Sequence, residues 1–376
     1  MNFKYNYSLV LFLLAMLFTL LWVGIPYLFS PDSESDKSEI NDSFYTSPHN
    51  PLPHISEEIA GFDLEELVRP FDSLGPINSI LISQHGELLS EEYFKGMNAR
   101  RAHNIKSASK SILSILIGIA IEEGYLEGVD QKIGDFFPEY LDEQADSAKA
   151  SITIDDLLTM RSGLASTSRG HYGRWVTSNN WIRYALNRPL TGTPGVDRIY
   201  STGNTHLLSV ILTRASGMST LAFANRYLFH PMDIQVAGWD RDPQGYFLGG
   251  NNMALIPQDI DKIGQLMLNM GVYNGERLVS GDWIIRSVKP VTGRGESNNY
   301  GYLWFRRMSG DFHKVYAFGN GGQYLMILPE LDAVITVTTR NSNSESTRGY
   351  RSQLFSALDR DIIPWLAANY TPEKVL

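Results

Sequence analysis

The chain of 376 residues contains no cysteine. Disulfides, thiolate metal sites, cysteine nucleophiles and a lipid-modified cysteine are excluded together, and redox chemistry says nothing about the compartment. Basic charge is also scarce: 32 Lys and Arg against 41 Asp and Glu leave a formal net charge of -9. That balance argues against a nucleic-acid surface and for small molecules or neutral chains as partners. There is no internal repeat and no glycine-rich phosphate loop, and nothing in the chain calls for a metal or a cofactor. Oligomeric state is not legible.

Charge is missing altogether from Tyr5 to Pro31. Within that stretch Leu9 to Phe29 is apolar apart from Thr19 and Gly24, about enough helix to cross a ~30 Å hydrocarbon layer. A cleaved signal peptide is the alternative. Its apolar core would be shorter and followed by small residues, whereas Trp22, Ile25, Tyr27 and Phe29 run to the end. An uncleaved anchor is therefore expected over residues 1–30. Lys4 precedes it and Asp32, Glu34, Asp36, Glu39 and Asp42 follow, which puts the N-terminus in the cytoplasm. The expected location is single-pass in the inner membrane, with the remaining domain periplasmic or extracellular. Residues 31–58, rich in Ser, Pro, Asn and Asp, read as a flexible linker, and residues 59–376 as the folded domain.

Ile105 to Gly124 organises that domain. Apolar residues at Ile112, Leu113, Ile115, Leu116, Ile117, Ile119, Ala120 and Ile121 are too dense for a surface helix, so a buried central helix is expected, ending at Gly124. Ser107 and Lys110 stand in its first turn. Residues three apart share a helix face, so the hydroxyl and the amine are placed to touch as nucleophile and base. Serine alone is a poor nucleophile, and lysine is a useful base only if burial or a neighbouring cation lowers its pKa from about 10.4. By itself this spacing is a weak signal.

Elsewhere, Ile77 to Ser83 and Leu88 to Phe94 read as a hairpin, with His85 in its turn. Asp130 to Tyr140 and Thr153 to Met160 read as helices, the second capped by Thr153 with Asp156. Ser166 to Asn180 is a polar, aromatic loop whose Tyr172 and Trp175, with Trp181, either line a substrate cleft or pack beneath the loop. Ile199 to Ala215 and Asp259 to Asn269 read as further helices. Tyr300 to Phe305, Tyr324 to Leu328 and Ala333 to Thr339 are β-rich, and Arg348 to Leu366 reads as a helix. An α/β (α+β) fold follows, with an antiparallel sheet drawn from both chain ends, flanking helices and an all-helical region between.

Ser107-x-x-Lys110, Tyr200-Ser201-Thr202 and Gly319-Asn320-Gly321-Gly322-Gln323, in that order, resemble the motifs of the serine β-lactamase and penicillin-binding-protein superfamily. The likeness is closest to its class C-like esterase and 6-aminohexanoate-dimer-hydrolase branch. Leu157 to Leu164, Pro194-Gly195, Gly249-Gly250 and Tyr300-Gly301-Tyr302 agree with it. The resemblance implies a Ser107 nucleophile, a Lys110 base, a Tyr200 proton shuttle and an oxyanion hole from the N–H groups of Ser107 and Gln323. Asn320, Gly321 and Gly322 would border the acyl group. It implies a hydrolase of a small ester or amide, with D-alanyl-D-alanine carboxypeptidase or β-lactamase activity as the alternative; a non-catalytic peptide- or muropeptide-binding module is the reading from another class. Two positions depart from the pattern: Asn320 where Lys or His is usual, and Thr202 where Asn is usual. Asn204 is a candidate replacement for that amide and Arg340 for the missing cation. Without a cation at 320 the site is expected to favour uncharged acyl groups.

If residues 9–29 form an uncleaved anchor, native protein should keep its N-terminal residues and sediment with membranes, and a chain starting near Ile55 should be soluble and active. N-terminal sequencing checks this; a mature chain beginning after residue 25 would show a cleaved signal.

Overall fold

A strand covered on one face alternates apolar and polar residues, whereas one covered on both reads as an almost unbroken apolar run. Ile77–Gln84 (β1), Gln323–Leu328 and Ala333–Thr339 are of the second kind and are buried at every position. The computed structural model, which describes residues 61–141, 146–291, 299–340 and 349–370, places them at the centre of a seven-stranded antiparallel sheet. The expected anchor and linker lie outside the described residues.

With Glu87–Tyr93 as β2, Asn299–Tyr300 as β3, Phe305–Ser309 as β4, Phe312–Gly319 as β5, Gln323–Leu328 as β6 and Ala333–Thr339 as β7, the strand order is β2-β1-β7-β6-β5-β4-β3. The pairing of β1 with β7, Ile80 opposite Val337, joins the two ends of the chain, as expected. Side chains alternate between two cores. Leu325, Ile327 and Val334 face the helical region, and Met326, Leu328, Ile335 and Val337 face a layer made by Leu64–Val68 and the C-terminal helix.

The central helix is Ser109–Glu122 (α1), with twelve residues from Ser109 to Ala120 buried. It ends as the sequence suggests, at Gly124 with φ 73°. Ser107, however, sits in a 3-10 turn, Lys106–Ala108, just ahead of the α-helix. Two other long helices complete this layer, Thr202–Ser216 (α2) and Pro257–Leu268 (α3), and Gly281–Val288 (α4) docks on α1. The indole of Trp283 in α4 donates to the Ser114 carbonyl at 3.1 Å, and a Cβ on Gly118 would meet that ring at 2.4 Å.

Two expectations need correction. Asp130 to Tyr140 is helical only over Ile133–Phe136, because Pro138 disfavours helical backbone at the residue before it. Tyr300 to Phe305 is not one strand but the turn of a hairpin, with Tyr300 paired to Phe305 and Leu303 at φ 64°. Strand β5 has no counterpart among the expected elements. In the fold Lys314 is fully buried and pairs with Asp359 at 2.6 Å.

Because the α1–α4 contact leaves no room for a methyl group, Gly118→Ala should destabilise the domain by about 1–3 kcal/mol through overpacking. Urea unfolding measures this, and a midpoint equal to that of the parent would contradict the packing described.

Candidate active site

Lysine as an ammonium carries three donors, and as a neutral amine two donors and one lone pair. Lys110, 2% exposed in the second residue of α1, has three oxygen neighbours. Its Nζ lies 3.0 Å from Ser107 Oγ, 3.3 Å from Thr202 Oγ1 and 2.5 Å from the Gly250 carbonyl. The carbonyl can only accept. The ammonium donates to all three oxygens; the neutral amine keeps its N–H on Gly250 and has a lone pair within reach of the Ser107 hydroxyl, the arrangement a general base requires. Burial pushes the Lys110 pKa down from the ordinary lysine value; the Tyr200 phenol, whose ring centre is 5.3 Å from Nζ, opposes that shift by favouring the charged form.

Each contact has a local cause. Gly250 adopts φ 138°, and a Cβ there would come within 2.6 Å of Lys110 Cγ, so only glycine lets the carbonyl reach the amine. Thr202 opens α2, and its main-chain N–H and hydroxyl are both tied to Ser168 Oγ, at 2.8 and 2.9 Å. Gly319 at the end of β5 touches the residue before the Lys106–Ala108 turn: an added Cβ would meet the Ile105 carbonyl at 2.1 Å. The turn itself carries Lys106 at φ 52°, an uncommon backbone for a side-chain-bearing residue, with its N–H accepted by Asn104 Oδ1 at 2.9 Å.

Ser107, Tyr200, Thr202, Asn320 and Gly321 line one cleft of about 700 Å³. Tyr172 joins them, its hydroxyl accepting from Asn251 Nδ2 at 2.8 Å. Burial pushes the Tyr172 phenol pKa up. The remaining candidates lie elsewhere. Trp175 is fully buried and Trp181 nearly so; their rings pack on each other and on His206, which is paired at 2.9 Å with Asp242. They are packing residues beneath the loop, not walls of this cleft. Gly322 is buried against Tyr350, whose ring an added Cβ would meet at 2.2 Å, so its glycine serves the backbone at φ 101° rather than an acyl group. The Gln323 side chain is held by Thr339, donating from Nε2 to Oγ1 at 2.6 Å and accepting the Thr339 N–H at 3.0 Å. Asn204 does not replace the missing amide: it is buried, accepts from Ser162 Oγ at 3.1 Å, and lines no part of the cleft. Thr202 itself reaches Lys110. Arg340 is exposed outside the cleft, its main-chain N–H bonded to Pro76.

Ser168, Arg198, Phe305, Phe318 and Arg351 also line the cleft and escaped the sequence reading. Only Arg198 carried a local signal, two residues before Tyr200. The others come from a loop, two strands and the C-terminal helix, and nothing in the chain relates them before folding.

The profile of the Beta-lactamase family matches residues 76–357. The chain belongs to the Beta-lactamase family. This β-lactamase-family protein is 24% identical over 282 residues to the 6-aminohexanoate-dimer hydrolase of Paenarthrobacter ureafaciens, covering 69% of this chain and 71% of that one. Among solved structures it resembles EstCE1, a hydrolase with promiscuous acyltransferase activity (TM-score 0.66, 16% identity, 80% of this chain and 99% of the other). It also resembles a penicillin-binding protein from Bacillus halodurans (TM-score 0.60, 14% identity, 78% and 99%). Family and fold together make it a serine hydrolase.

The neutral amine grows as pH rises through the Lys110 pKa, so kcat/KM should rise along an acid limb below the ordinary lysine value. Thr202→Val replaces an acceptor of the ammonium by a methyl group, and both changes disfavour charge. The limb should move to lower pH in Thr202→Val and stay in place in Thr202→Ser. A limb unmoved by the valine would detach Thr202 from Lys110.

Proposed function

We propose that the protein cleaves a small ester or amide through an acyl-enzyme on Ser107, in a domain held outside the cytoplasm by the N-terminal anchor. One observation carries this reading: a buried amine with depressed basicity lies 3.0 Å from a serine hydroxyl that opens on a 700 Å³ cleft.

In the proposed cycle Lys110 Nζ takes the Ser107 proton as Oγ attacks the substrate carbonyl carbon. The oxyanion forms against the main-chain N–H groups of Ser107 and Gln323, which need no reorganisation because strand and turn hold them. Lys110 then returns the proton through the Tyr200 phenol to the leaving oxygen or nitrogen, and the carbon–heteroatom bond breaks. Water attacks the ester that remains, gives up a proton along the same route, and the acid leaves while Ser107 regains its hydrogen. A non-catalytic module would have no use for a buried lysine directed at a serine, since burying an amine costs stability unless something else repays it.

The names of the relatives, a 6-aminohexanoate-dimer hydrolase and a hydrolase with acyltransferase activity, support the reaction class, and the charge-free stretch from Tyr5 to Pro31 supports the anchor. Incubation with an acylating ester should add the acyl mass to the peptide that contains Ser107. Ser107→Ala should abolish the adduct and lower kcat by roughly 10³-fold or more, the scale seen when a nucleophile is removed. An adduct on another serine, with turnover intact in Ser107→Ala, would sink the assignment.

A further inference from the structure

In a chain with nine more acids than bases, the cleft carries the opposite sign. Lys106, Arg169, Arg198 and Arg351 line it, and among the described residues no Asp or Glu does. Among the described residues neither Arg198 nor Arg351 has a carboxylate partner. Each lies instead on aromatic rings: the Arg198 guanidinium is 4.3 Å from the Tyr300 ring centre and 6.0 Å from that of Phe305, and Arg351 is 5.2 Å from that of Phe318. Phe305 and Phe318 meet edge-on at 6.4 Å between centroids. The four side chains thus form one wall, a guanidinium at each end of an aromatic pair. Stacking orients a guanidinium while leaving N–H groups for a ligand, and the polar contacts of Arg351 among the described residues are with neutral phenols, Tyr316 at 3.4 Å and Tyr324, not with a carboxylate.

We infer that the substrate bears a carboxylate remote from the scissile bond, bound at this Arg198–Phe305–Phe318–Arg351 wall, with an aliphatic segment lying over the two rings. The inference rests on the ester or amide hydrolase reading and specifies its substrate class. It reverses the preference that Asn320 alone suggested: the cation absent from position 320 is supplied by two residues from other parts of the fold. Arginine suits the task because its planar fork matches a carboxylate, and a site lined by one sign of charge concentrates ligands of the other sign.

Two esters of equal chain length test this, p-nitrophenyl hexanoate and mono-p-nitrophenyl adipate, which differ by a terminal carboxylate. The readout is the adipate-to-hexanoate ratio of kcat/KM, corrected for spontaneous hydrolysis. The Arg198→Gln/Arg351→Gln double variant should lower that ratio roughly ten- to a hundredfold, mainly through KM for the adipate ester, as expected for loss of charge-assisted hydrogen bonds. Both side chains are exposed, so their replacement should not disturb folding. A ratio unchanged in the double variant overturns the proposal. Ser107→Ala is run beside it: turnover that survives there refutes the nucleophile while the ratio still judges the wall, and turnover lost there with an unmoved ratio refutes the wall alone.

Discussion

Everything at the site depends on taking one amine out of water. Lys110 is the second residue of a helix whose next ten residues are all buried, so the amine is enclosed and its charged form disfavoured. Enclosure is tolerable because three oxygens surround Nζ, each from a different part of the chain: the turn at Ser107, the start of α2 at Thr202, and the Gly249-Gly250 segment. Desolvation sets the basicity, and the acceptors set the direction of the lone pair. Neither suffices alone, since an amine in the open stays protonated and an enclosed amine without acceptors would cost several hydrogen bonds.

The sheet makes that enclosure rigid. Both its faces are covered, so β6 and β7 cannot slide without carrying buried side chains to the wrong core. That fixity reaches the site through backbone contacts where side chains are absent. Gly319 lies against the Ile105 carbonyl, Gly250 against Lys110, and Gly322 against Tyr350 at the head of the C-terminal helix. In each place a β-carbon would push two elements apart. The glycines are thus part of the geometry that sets Ser107 beside Lys110.

The cleft also separates two properties that composition merges. The chain is acidic as a whole, which favours solubility and repels other anions, while the walls around Ser107 are cationic. Such a contrast focuses potential into the cleft, and the aromatic rings beside Arg198 and Arg351 lower the local dielectric in which any ion pair forms.

The meeting of Ser107 with Lys110 was legible in the sequence because it is local. Ser107 and Lys110 are three residues apart, the helix that buries them declares itself by its density of Ile and Leu, and the two glycine-rich stretches carry their own backbone demands. The hairpin, the capped turn at Thr153 and strand β7 are local too, and they lie where expected. What only the tertiary structure decided is long-range. Trp175 and Trp181 read as cleft residues or as packing with equal justice, and burial over His206 chose packing. Nothing near Lys314 in the sequence marks it as buried; Asp359, forty-five residues on, meets it inside the fold. Arg351 has no sequence neighbour that marks it as part of a cleft; the C-terminal helix must first dock on the sheet to bring it there. Sequence patterns record which residues share a turn or a face, because helix and strand periods are fixed by backbone geometry. Which faces then meet across the cleft, and so which charges a substrate encounters, is settled only when the sheet closes both ends of the chain around the helix of Lys110.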